Sequence, residues 1–319
     1  MINNQISIKK QKNQKRKLLL HRIKVNKQIY IMLIPVVIFY ILFCYVPMPG
    51  IILAWKKYRH TQGIFGSPWV GWSIFEKLFT HPDMMRAIKN TLVISGLKLV
   101  FCFPAPIILA LLLNEIKNKT YKKSIQTMIY LPNFISWVII GGLIKSMLSY
   151  DEGLMNNLIV LFGGNRIQFM TTSKYFYPIL ILSEIWKGTG WGTIIYIAAI
   201  SNINPTLYEA AAIDGCKRFG AIWHVTLPSI LPIIAVMLII QLSNIMNAGF
   251  DPVYNLYNPI VYDVSDIIDT MLYRLGVEKG QLENATAIGL FKNVINFALL
   301  ITGNYATKKL SGYSMYSLD

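Results

Sequence analysis

Charge is scarce in this chain. Of its 319 residues only 14% are Asp, Glu, Lys or Arg, against 54% hydrophobic, and the mean hydropathy is +0.45. A soluble domain carries about a quarter charged residues, so this balance excludes an ordinary soluble enzyme. Cysteine is sparse too. Cys44 and Cys102 lie inside apolar runs and Cys216 in a polar gap, and such an odd, scattered set builds neither a disulfide framework nor a thiolate metal site. The histidines, His21, His60, His81 and His224, lack the close spacing of metal ligands. No G-x-x-x-x-G-K-[ST] phosphate cradle occurs, so nucleotide hydrolysis is not expected of this chain by itself. The glycines of Gly188-Thr189-Gly190-Trp191-Gly192 are no substitute, because no strand precedes them. In an apolar helix such small residues allow close helix contact or a bend beside a pathway. Low-complexity segments, internal repeats and domain boundaries are missing as well.

What is present is a set of long apolar runs, near residues 29–55, 91–113, 125–148, 178–201, 229–248 and 285–305. A helix needs about 20 apolar residues to cross a bilayer, so the chain reads as an all-α membrane protein of six spans. The formal charge of +16 raises the alternative of a nucleic-acid tail at residues 1–28. Its distribution favours the membrane. Nine of the 31 basic residues precede the first run, and Lys117, Lys119, Lys122 and Lys123 crowd one short gap, as cytoplasmic flanks do. With the N-terminus inside, the inner segments hold 17 Lys and Arg and the outer loops 10. Both termini and the gap 202–228 are then cytoplasmic. The N-terminal run is expected to be retained, since its basic region is long and no convincing cleavage site follows. Three regions result: a basic tail at 1–28, a membrane domain at 29–307, and a short tail at 308–319.

The gap 202–228 carries the strongest local pattern. Asn204-Pro205 starts a helix, with Asn as N-cap and Pro where its missing N–H costs nothing. Residues 206–214 supply about two and a half turns, and Gly215 suits the left-handed stop. The sequence Glu209-Ala210-Ala211-Ala212-Ile213-Asp214-Gly215, followed by Val225-Thr226-Leu227-Pro228, predicts a small rigid knob outside the membrane. Its spacing resembles the cytoplasmic coupling loop of the membrane subunits of binding-protein-dependent ABC importers. In that family such a helix docks in a cleft of the nucleotide-binding subunit. The resemblance therefore gives Glu209, Ala210, Ala211, Asp214 and Gly215 a role in ATPase coupling. Val225 stands where Ile is commoner.

The likeness extends along the chain after residue 28. Ile64 to Gly71, then Tyr257-Asn258-Pro259 with Val261-Tyr262, and Asp266 through Asp269-Thr270 to Tyr273-Arg274, resemble the polysaccharide-type branch of the carbohydrate permeases. The resemblance implies a type I importer fold and a non-catalytic permease in a bacterial cytoplasmic membrane. It also implies a second, similar permease and two copies of an ATPase carrying ATP and Mg. An extracellular solute-binding protein would deliver an oligosaccharide or polysaccharide fragment. Neither a nucleic acid nor a cofactor on this chain is implied. The outer loops, 56–90 and 249–283, are turn-rich and aromatic, the second with a short amphipathic helix near 266–275.

Ionisable groups inside spans are costly and mark candidate functional positions. Glu184 and Lys187 share a helix face three residues apart and predict an internal ion pair, with substrate contact as the alternative. Lys98, Lys145 and Lys292 are expected to snorkel toward an interface. Gln241, Asn244 and Asn247 predict a polar stripe on the fifth span, which either meets sugar hydroxyls or joins helices. Trp137, Trp186, Trp191 and Tyr196 offer faces for pyranose stacking, or anchors at the membrane interface. An importer for a non-sugar solute is the nearest rival reading. A lipid-linked glycosyltransferase would rest on Asp263, Asp266 and Asp269, on the wrong side for a nucleotide sugar, and an ion-coupled transporter would leave the 202–228 gap unexplained.

Overall fold

The computed structural model describes residues 25–311, with side chains through residue 305. Most of the expected basic tail 1–28, and the tail 308–319 from residue 312 on, lie outside the described residues. Regular structure among the described residues is helical, apart from one isolated antiparallel bridge between Lys56 and Trp69. In chain order the main helical segments are α1 (Lys27–Trp55), α2 (Ser73–Thr80), α3 (Pro82–Asn114), α4 (Lys119–Phe134), α5 (Trp137–Met147) and α6 (Leu154–Leu161). They continue with α7 (Ser173–Ser201), α8 (Pro205–Ile213), α9 (Arg218–Ser243), α10 (Phe250–Leu256), α11 (Ile268–Tyr273) and α12 (Leu282–Ser311).

Four of these, α1, α3, α9 and α12, are long and apolar enough to cross a membrane. A fifth crossing results if α4 and α5 are one broken span. Helix α7, at 29 residues, has ample length at about 1.5 Å per residue, but Glu184, Lys187 and its glycines dilute the apolar run.

Two expected spans are redrawn. The run 125–148 is bent by 95° between α4 and α5. Pro132 brings no N–H to the helix ladder, and Ser136 caps the new helix by accepting from the Ile139 N–H at 3.4 Å. The fifth helix stops at Ser243, so Asn244 and Asn247 lie beyond it. The polar stripe is therefore not one helix face. Prolines also account for two of the π-helical turns. Lys98–Cys102 widens just before Pro104, and Ile222–Thr226 just before Pro228. A π turn accommodates the acceptors that a proline cannot satisfy.

Three apolar clusters hold the bundle. The first joins Ala54, Ile74, Leu78, Met84 and Ala87 to Met271, Ala287 and Ile288. The second sets Ile94 and Leu180 against Val253, Leu256 and Ile267, and the third sets Ile107 and Ala110 against Tyr196, Ile200 and Ile230. Together they place α3 and α7 at the centre. By contrast, the first part of α1 buries no residue against the rest of the chain.

Candidate functional site

Between α3, α7 and α9 opens a cavity of about 380 Å³, lined by Lys98, Glu184, Gly188, Thr189, Gln241 and Asn247 among others. Lys98 Nζ donates to Glu184 Oε1 at 2.5 Å, with the two side chains only 10% and 21% exposed. The expected Glu184–Lys187 pair is thus corrected. Sharing a helix face is weaker than a partner on another element that satisfies the charge inside the bundle. Lys187 finds its own partners at the end of α4 and just beyond it, donating to the carbonyls of Pro132, Asn133 and Ile135. The 95° bend ends the helix there, and the carbonyls at a helix C-terminus attract cations; that of Pro132 also accepts from the Ile135 N–H at 3.2 Å. Its ammonium also lies 5.7 Å from the Trp137 ring, within cation–π range.

The backbone around the pair is closely fitted. Gly249 has φ +94°, and a Cβ there would sit 2.7 Å from Lys98 Nζ. A Cβ on Gly190 would meet the Ile129 carbonyl oxygen at 1.9 Å, so this glycine sets the distance between α7 and α4. Its neighbours Gly188 and Gly192 line the cavity instead. The hydroxyl oxygens of Ser95 and Thr189 are buried without a protein partner among the described residues. Thr189 lines the cavity, and Ser95 lies beside it with Lys98, Gln241, Asn244 and Asn247.

Of the residues singled out in the sequence, Glu184, Gln241, Asn244, Asn247 and Tyr196 are therefore drawn together around Lys98. Trp137, Trp186 and Trp191 are not part of the lining. Trp186 and Trp191 are more than half exposed, and Trp191 packs on Phe134 at 5.9 Å. Cys102, Phe103, Pro106, Ile195, Met237 and Ile240 complete the lining without having been anticipated, since apolar residues in apolar helices carry no distinguishing signal. Lys292 does not snorkel but pairs with Asp269, while Lys145 is exposed.

A second charged centre lies after α10. Arg274 holds buried Asp266 through two hydrogen bonds, at 3.0 and 2.6 Å. The Asp266 hydrogen bond raises the Arg274 pKa further, so its charge is permanent. The guanidinium lies 5.1 Å from the Tyr262 ring. Burial, then a hydrogen bond with Tyr262, pushes the Tyr257 hydroxyl well above the ordinary tyrosine range. Asn90 donates to the carbonyls of Tyr262 and Asp266, fastening this region to α3.

The polar gap folds as its residues dictate. Asn204 Oδ1 accepts from the Thr206 N–H at 3.1 Å to start α8. At the other end Cys216 N–H reaches the Ala211 carbonyl at 2.9 Å and Gly215 N–H the Ala212 carbonyl at 3.1 Å. With Gly215 at φ +78°, this is a Schellman stop. Tyr208 and Thr226 hydroxyls, 3.0 Å apart, tie the knob to α9. No residue of α8 is buried, Glu209 is exposed, and Ile213 is 87% exposed.

Residues 103–310 match the model of the family described as the binding-protein-dependent transport system inner membrane component. The chain is 44% identical to the polygalacturonan/rhamnogalacturonan transport system permease protein YteP of Bacillus subtilis strain 168, over 96% of this chain and 95% of that one. It is 40% identical to protein LplB of the same organism, over 92% of each. Among solved structures it is similar to a chain of a bacterial ABC transporter involved in the import of the acidic polysaccharide alginate. That match has 42% identity and a TM-score of 0.85, covering 92% of this chain and 99% of that one. A second structure shows the alginate transporter in complex with an alginate pentasaccharide-bound periplasmic protein, at 41% identity, a TM-score of 0.85 and the same coverage. The expected family is thus borne out: the chain belongs to the inner membrane components of binding-protein-dependent transport systems, and is a non-catalytic ABC permease subunit.

Proposed function

We propose that this permease passes an oligosaccharide or polysaccharide fragment, delivered by an extracellular binding protein, into a bacterial cell. The observation that carries this reading is the likeness along 92% of the chain to a subunit of an alginate importer, supported by a relative named for polygalacturonan and rhamnogalacturonan. A hydroxyl-rich chain suits a cavity edged by amides, unpartnered hydroxyls and a balanced ion pair. Glu184, Gln241, Asn244 and Asn247 are then the substrate-pathway residues of this chain.

Six spans serve this function: α1, α3, the broken pair α4–α5, α7, α9 and α12. The charge bias puts both termini and residues 202–228 in the cytoplasm. Helix α8 acts there as the coupling helix. Glu209 and Ala210 are exposed on it, Ala211 is half-buried, and Asp214 and Gly215 close it. Exposed Leu207, Ile213 and Phe219 are apolar groups suited to a protein cleft. A second permease shares the pathway, and two ATPase copies close on ATP to switch access between the two faces. A ligand stimulates such a cycle only by interacting differently with the two states.

The test is ATP hydrolysis by the chain reconstituted with its partner permease and ATPase. Stimulation by sugar-loaded binding protein, lost in Glu209→Ala while the complex remains assembled, is the expected result. Hydrolysis indifferent to every sugar-loaded binding protein would refute the saccharide reading. Normal coupling in a Glu209→Ala, Gly215→Ala double variant would refute the role of α8.

A further inference from the structure

A second cavity opens among residues that the pathway and the coupling helix leave unused. It measures about 330 Å³, within the range of about 300–1,000 Å³ found for small-molecule sites. Helices α2 and α11 and the first turns of α3 and α12 enclose it. Asp83, in its lining, and Lys98 are fifteen positions apart on α3, which sets it about 22 Å along that helix from the ion pair. Its residues come from the loops 56–90 and 249–283 and their borders, the side that the charge bias assigns to the outside.

The charges of this lining do not cancel. Its one carboxylate, Asp83, is already held by Arg86 at 2.5 Å, with His81 Nδ1 3.6 Å away. Arg274 is neutralised by Asp266. That leaves Lys77 and Lys279, which have no carboxylate within 4.0 Å among the described residues. Glu76 and Glu278, their neighbours in sequence, do not line the cavity. Two unpaired ammonium groups that share a cavity repel each other, and an anion between them turns that repulsion into attraction. The rest of the lining suits a sugar better than a bare anion. Asn284 Nδ2 donates to Gln281 Oε1 at 3.0 Å, which leaves the Gln281 amide N–H groups and the Asn284 amide oxygen for hydroxyls. Leu78, Met271 and Leu275 add an apolar surface for the C–H side of a sugar ring.

We infer that this cavity is a second saccharide site, on the outer face, in which Lys77 and Lys279 hold the carboxylate of one uronate unit. The inference rests on the saccharide reading and the orientation proposed above, and adds to them a place where negative charge on the sugar is recognised. Both lysines are solvent-exposed, so salt screens their attraction for the carboxylate. The site is therefore a weak, quickly exchanging one, suited to a chain that must move on to the Lys98–Glu184 cavity. The same exposure makes the two positions tolerant of substitution.

The test is binding of a uronate trisaccharide to the assembled transporter in nanodiscs of zwitterionic lipid, without binding protein, followed by ligand-observed NMR at low salt. Lys77→Gln with Lys279→Gln is expected to weaken binding about tenfold. The same trisaccharide with its carboxyl groups reduced to alcohols is expected to bind the wild type about tenfold more weakly as well. Lys77→Arg with Lys279→Arg keeps both charges and is expected to stay within about threefold of wild type. Unchanged uronate binding in the Gln pair, or equal binding of the reduced sugar to the wild type, overturns the site while leaving the importer reading intact. A Gln pair that keeps the uronate but loses affinity for the sugar-free binding protein also overturns it, and makes the cavity a dock for acidic side chains of that protein. A wild-type complex that imports no saccharide from any loaded binding protein overturns both readings.

Discussion

Removing one member of the Lys98–Glu184 pair is the sharpest perturbation the structure offers. At 2.5 Å and an effective dielectric constant of about 20, the Coulomb attraction is on the order of 6 kcal/mol. Desolvation of two side chains that are only 10% and 21% exposed consumes most of that, since it costs several kcal/mol per ion. The pair is therefore worth little against an apolar replacement, whereas either charge left alone is expensive. Glu184→Gln and Lys98→Met are each expected to destabilise the protein by about 3–5 kcal/mol. The double variant should recover most of the loss and end within about 1 kcal/mol of wild type, which makes the coupling term in the double-mutant cycle about 5 kcal/mol or more. Reversible unfolding in mixed micelles, with the four proteins side by side, reads these values. Single variants within about 1 kcal/mol of wild type, or losses that simply add, would refute the view that each charge depends on the other.

Gly190→Ala drives a methyl group into the Ile129 carbonyl, so α7 must move away from α4. The expected cost is about 1–3 kcal/mol in the same unfolding assay, with Gly188→Ala, which meets nothing, as the benign control. Arg274→Lys keeps the charge but loses the forked grip on Asp266; a cost of about 2 kcal/mol is expected, and a wild-type midpoint would contradict it. Tyr257 has its folded pKa raised, so it favours the folded state below the ordinary tyrosine value of about 10. That contribution falls as pH climbs above it toward the folded value. Alkaline unfolding should accordingly be shallower in Tyr257→Phe than in wild type.

The sequence was most legible where local chemistry decides the outcome. Asn204-Pro205 and Gly215 bounded α8 within a residue, because capping depends on neighbours in the chain. The apolar runs likewise announced most of the long helices. The bend at residues 135–136 was not legible, since Pro132 also fits an unbroken membrane helix and Ser136 looks like any polar residue. The choice of partner for Glu184 was invisible too. Lys187 is three residues away and Lys98 is 86, and only the packing of α3 on α7 makes the distant one nearer.

The charges of α7 also bear on how the protein is made. On the six-span reading proposed above, Glu184 and Lys187 each burden this helix with a cost of about 2.5–3.5 kcal/mol for a lone charge at mid-membrane, and the helix is not apolar enough to offset it readily. Every group that relieves them comes earlier in the chain: Lys98 for one, the carbonyls of residues 132–135 for the other. A ribosome therefore delivers α7 only after its partners have emerged. The least self-sufficient helix of the bundle arrives at a membrane where its docking face has already been synthesised, an order of birth that a circular permutant would reverse.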